Sequence, residues 1–155
     1  MSEQSIIRVL TVLQHPLFRE GIATVIDNQA DMLLVGEAAS AGEAYEHFDS
    51  HSPAVTLPGV ALPDVTLPDV TLMDFRLPDS SGIEAMNAIR ARHANARVVL
   101  ACNFEGDPEI QHALDAGASG CILKTMHPKE IAGAIRDAFA ADKSIPPLSP
   151  ALSRR

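Results

Sequence analysis

The stretch Val70–Gly82, VTLMDFRLPDSSG, sets the pattern on which the rest of the chain can be laid out. It opens on a short apolar run containing β-branched residues, breaks at Asp74, passes through Pro78, Asp79 and two serines, and closes on glycine. That order predicts a buried strand, a turn and a helix start. Proline fixes φ, and the Asp and Ser side chains hydrogen-bond nearby backbone. Ser81 is placed to cap GIEAMNAIRARH, where Ile83, Met86 and Ile89 fall in line.

The same strand-then-helix grammar extends in both directions. IIRVLTVL ends at His15-Pro16, and proline suits the first turn of the helix that follows, with Phe18, Ile22, Val25 and Ile26 on one face. Asp31 opens the run MLLVGEA; Ser40 then caps AGEAYEHFDS, with Glu43 completing a capping box and Ala44 and Phe48 turned inward. Beyond the third unit come ARVVLAC, a helix from Asp107-Pro108 closed by Gly117, the run GCILK, and a last helix opened by Pro128 with Ile131, Ile135 and Phe139 in step. Five such units predict an α/β fold, a parallel sheet covered on both sides and doubly wound because crossovers are right-handed. Functional residues then gather at the carboxyl ends of the strands, which are Leu13-Gln14, Asp74, Cys102 and Lys124.

Bulk properties narrow the function. The 155 residues make about one domain, and 46% hydrophobic content supports a real core. A net charge of -8, with 20 acidic against 12 basic side chains and no Lys/Arg tract, argues against nucleic-acid binding by this chain itself. The N-terminus lacks the basic region and cleavage signal of a leader, and no apolar stretch reaches spanning length, so the expectation is a cytoplasmic protein with no membrane partner. Cys102 and Cys121 are too few for a disulfide scaffold and lack metal-ligand spacing; the six histidines show none either.

Immediately before the central strand the sequence stutters: VTLPG, VALPD and VTLPD precede VTLMD. A five-residue period suits neither a strand nor a helix, and it is far too short for a solenoid. Pro58, Pro63 and Pro68 bar the extra copies from a central sheet position, so residues 51–69 read as an extended insertion, either inert or an apolar arm that docks on a partner or a second copy.

Taken together, HPLFREGIATVI, LLVGEAASAGEA, VTLMDFRLPDSSGIEAMNAIR, ARVVLACNFEGD, ALDAGASGCILKTMHPKEIAGAI and SIPP resemble the receiver domain of NarL/LuxR-type (FixJ-like) response regulators. The intervals from Asp74 to Cys102 and from Cys102 to Lys124 match that branch. The resemblance implies a flavodoxin-like (βα)5 fold with strand order 2-1-3-4-5, and phosphoryl transfer from a histidine kinase to an aspartate at the third strand's end, here Asp74. It gives Lys124 the role of the fixed cation, and Asp74 with the Arg76 backbone carbonyl a share in holding Mg2+. A carboxylate nucleophile, a divalent metal and a fixed cation are what such a transfer needs.

Three positions depart from that pattern. The family's acidic pair falls on Leu13 and Gln14, which leaves any Mg2+ weakly held: magnesium favours hard oxygen ligands with carboxylates among them, and Leu13 offers none while Gln14 offers only a neutral amide carbonyl. The switch hydroxyl is replaced by Cys102, whose thiol is a poor donor, and the aromatic switch position is Cys121. The expectation is therefore an atypical, degenerate receiver occupying residues 1–143, with a linker-like tail over 144–155 that resembles the start of the linker leading, in that family, to a DNA-binding domain that these 155 residues do not include. It would not be an enzyme beyond autophosphorylation of Asp74 from a phosphodonor. It would act through contacts with a histidine kinase or another signalling protein, or as a homodimer through the helix 4, strand 5, helix 5 face or the insertion. The alternative is a working phospho-acceptor at Asp74 that controls a DNA-binding output. A reversible disulfide between Cys102 and Cys121 would need their Cβ atoms to face each other.

Overall fold

Five parallel strands order themselves around the switch that the sequence predicts. In the computed structural model, which describes residues 6–50, 67–103 and 108–140, they are β1 (Ile7–Val12), β2 (Met32–Ala38), β3 (Val70–Asp74), β4 (Arg97–Cys102) and β5 (Gly120–Leu123), in the spatial order β2-β1-β3-β4-β5. The helices are α1 (Pro16–Asp27), α2 (Ala41–Ser50), α3 (Gly82–Arg92), α4 (Pro108–Asp115) and α5 (Pro128–Ala140). Most of the insertion, residues 51–66, and the tail from 141 onward lie outside the described residues.

Both faces of the sheet are covered, so its strands read as nearly continuous apolar runs rather than alternating ones. Successive residues of a strand supply opposite cores. On β3, Leu72 joins Ile22, Ile26, Ile131 and Ile135 on the α1/α5 side, while Met73 joins Phe48, Met86 and Ile89 on the α2/α3 side. On β4, Val99 and Leu100 divide in the same way. Every residue of β3 is buried, as expected for the central strand.

The repeat ends where the sheet begins. Asp69 accepts a hydrogen bond from the Arg8 backbone N–H at 2.9 Å, and its carboxylate lies 3.6 Å from the Arg8 guanidinium. Val70 then pairs with Val9 and Arg97. Only VTLMD can occupy β3 without a proline among its paired residues, which fixes which copy becomes the strand.

Helix ends follow the predicted chemistry, with one adjustment. Ser81 Oγ accepts from the Glu84 N–H at 3.1 Å, and Ser40 Oγ from the Glu43 N–H at 3.2 Å. Glu43 reaches back to the N–H of Ala39, one residue before the cap. Gly117, at φ +112°, closes α4 in the left-handed region that favours glycine, and its carbonyl accepts from Arg90.

Candidate functional site

The carboxyl ends of β1, β3 and β5 converge on Asp74. Its side chain is 1% exposed, the only acid among the buried residues described. Oδ2 accepts a hydrogen bond from the Gln14 backbone N–H at 2.9 Å. Lys124 Nζ lies 2.7 Å from Oδ1, as an ion pair outside hydrogen-bond alignment. Lys124 is placed by a backbone bond from its own N–H to the Cys102 carbonyl, 2.9 Å, and its ammonium sits 5.4 Å from the centre of the Phe18 ring.

A close approach of backbone sets this end of β3. The Phe75 N–H donates to the Ala101 carbonyl, and the Gly82 N–H donates to the Phe75 carbonyl at 2.7 Å. A Cβ on Gly82 would collide with the carbonyl of Asp74. Between them, Arg76–Leu77 and Ser80–Ser81 form a two-residue antiparallel ladder that the sequence did not suggest. Asp79, at the tip of that ladder, reaches across to α2: its two carboxylate oxygens accept from the backbone N–H groups of Ala41 and Gly42, each at 2.9 Å. Those bonds hold the Asp79 carboxyl below its usual pKa.

The end of β1 has a different character. Leu13 is fully buried in the α1/α5 core, and its carbonyl accepts from Arg19 at 2.8 Å. Gln14 turns its carboxamide to the loop beyond β3, where Nε2 donates to the Arg76 carbonyl at 3.1 Å. An oxygen facing that carbonyl would repel it, so the amide must present its nitrogen.

These donors do not fit a magnesium ion. The one buried carboxylate among the described residues, Asp74, is paired with Lys124, and the Arg76 carbonyl is engaged by the Gln14 amide. Each carboxylate missing at ~4 Å from a divalent cation forfeits roughly 8 kcal/mol of attraction at an effective dielectric of about 20. Among the described residues no group of three or more His, Cys, Asp and Glu side chains could hold a metal ion.

The two cysteines at the predicted switch positions are both buried on the α3/α4 side of the sheet. Cys102 pairs in register with Leu123, and Cys121 with Leu100. They are diagonal neighbours, two residues out of register, which puts their Cα atoms about 8 Å apart against the roughly 7 Å limit for a disulfide. A disulfide would require the strands to shift.

The chain matches the family model described as "Response regulator receiver domain" over residues 9–136. It belongs to that family. It is 33% identical over 130 residues to the response regulator protein VraR of Staphylococcus aureus, covering 84% of this chain and 55% of that protein, so it spans about half the length of this relative. Among solved structures, the receiver is similar to a LuxR-family two-component response regulator from Aurantimonas sp. SI85-9A1, with TM-score 0.77 and 32% identity over 97% of this chain and 94% of that one. It is also similar to the signal receiver domain of NarL from Mycobacterium tuberculosis, with TM-score 0.73 and 30% identity over 88% and 99% of the two chains.

Sequence reasoning named Asp74, Lys124, Arg76, Leu13 and Gln14, and the fold brings them to one end of the sheet. It missed Phe18 beneath the lysine, Arg19 on the Leu13 carbonyl, and the Asp79 clamp. The signal for Asp79 was present in its Pro-Asp-Ser-Ser setting, but the partner it finds lies far away in sequence.

Proposed function

We propose that this receiver is degenerate: it serves two-component signalling through protein contacts, with weak or no phosphorylation at Asp74. The observation that carries this reading is the state of the Asp74 carboxylate, which is paired on one oxygen by Lys124 and on the other by the Gln14 backbone, with no second buried carboxylate among the described residues to attract a metal. Its partner is a histidine kinase or another signalling protein, and the α4-β5-α5 face is its surface for that partner or for a second copy. Cys102 and Cys121, in place of a hydroxyl and an aromatic ring, would transmit little if the acceptor were modified.

A second reading draws on the intact half of the site. Asp74 and Lys124 stand as a phospho-acceptor and its fixed cation would, and in a working receiver Asp74 would attack a phosphodonor and relay the signal to a DNA-binding output. Intact-protein mass after incubation with acetyl phosphate, with and without Mg2+ and beside Asp74→Asn, separates the two. The degenerate reading predicts at most a trace of adduct from protein shown to be folded. A near-stoichiometric, magnesium-dependent adduct absent from Asp74→Asn would overturn it.

A further inference from the structure

The magnesium position is not merely stripped of acids; the side chain there makes a contact of its own. We infer that the Gln14 carboxamide takes the structural place of a divalent cation, joining the end of β1 to the loop after β3, so that the receiver holds this end of its sheet together without metal. The inference rests on the degenerate reading and deepens it.

Two groups define the gap that a cation would bridge, the Asp74 carboxylate and the Arg76 carbonyl. Gln14 spans both, with its backbone N–H on Asp74 Oδ2 at 2.9 Å and its side-chain Nε2 on the Arg76 oxygen at 3.1 Å. Both are acceptors, and both receive donors from one residue, so the repulsion between the two oxygens is relieved without adding charge. The surrounding charges favour this neutral solution. Lys124 balances Asp74, and Arg19 brings a second positive group to the Leu13 carbonyl, so a divalent ion would arrive among cations. Leu13, buried among Ile22, Ile26 and Ile122, adds apolar packing where an acid would need solvent or metal.

Two variants of near-identical size test the idea by thermal melting in matched ionic strength with and without 10 mM Mg2+, together with calorimetric Mg2+ titration. Gln14→Glu turns the donor into a carboxylate facing the Arg76 carbonyl; it should melt about 3–6 °C lower without Mg2+, recover with it, and bind Mg2+ at least tenfold more tightly than the wild type. Gln14→Met removes the donor without adding charge, and should melt lower with no response to Mg2+. The wild-type melting point should not move with Mg2+. A wild type that Mg2+ stabilises as much as it does Gln14→Glu, or a Gln14→Met variant as stable as the wild type, would overturn the inference. The second result would leave the degenerate reading standing, whereas a metal-independent adduct on Asp74 would remove that reading and leave the Gln14 bridge intact.

Discussion

Asp74 and Asp79 belong to the same short segment, yet their carboxylates do opposite work. Asp74 is sealed at the carboxyl end of the central strand against a full positive charge. Asp79 lies at the surface and holds two backbone N–H groups at the start of α2, where the helix's partial positive end also favours an anion. The difference comes from what each faces. A buried acid needs a counter-charge, which Lys124 supplies; an exposed acid with backbone donors becomes a clamp between the β3–α3 loop and a remote helix. Residue type and neighbourhood in sequence do not separate the two roles.

The largest effect should come from the residue that positions both. Gly82→Val would push a branched side chain into the Asp74 carbonyl and the Leu100 side chain, displacing the loop that carries both acids. A loss of about 3 kcal/mol in urea unfolding is expected; a near-neutral result would show that the close approach can relax. Lys124→Met should come next. It leaves Asp74 buried without its cation, which for a fully buried pair costs about 3–5 kcal/mol, here about 2–3 because the lysine is partly exposed. Adding Asp74→Asn should restore part of that loss, and strict additivity of the two substitutions would mean that the pair is not coupled.

Asp79→Ala should have the smallest effect, about 1 kcal/mol, in line with loss of a helix cap, and should leave any Asp74 labelling unchanged. Its pH dependence follows from the lowered pKa. With the folded value below the unfolded one, the clamp contributes fully above the usual carboxyl range near 3.8 and is lost as pH falls through the folded pKa. Asp31, lowered by its bond to Arg136, follows the same sign. Asp79→Ala should therefore lie closer to wild type in stability at pH 3 than at pH 7. A gap that stays constant over that range would contradict the assignment.

The strands and helices were legible because both cores leave periodic traces. VTLMD, ARVVLAC and MLLVGEA are apolar runs bounded by turn residues, and Pro16, Ser81, Gly117 and Pro128 sit where helices start or stop. The convergence of Asp74, Lys124 and Gln14 was legible through the rule that strand ends gather at a switch in strand order. The contacts that finish the site were not. Whether the Gln14 amide turns to solvent or to Arg76, whether Phe18 lies beneath Lys124, and whether Cys102 faces Cys121 directly or diagonally all depend on side-chain direction and register, which periodicity leaves open. The segment 51–66 carries a period that matches no regular element, so its pattern predicts no packing.

On the degenerate reading the Asp74 site is held by its own neighbours, Lys124 and the Gln14 backbone, rather than poised for metal and phosphoryl group. The most direct test follows the backbone amide signals of Gln14, Asp74, Phe75, Cys102 and Lys124 by NMR as beryllofluoride, a phosphoryl mimic, is added with Mg2+. A degenerate receiver should give a spectrum that stays unchanged. Saturable shifts at those residues, spreading into α4 and absent in Asp74→Asn, would contradict it.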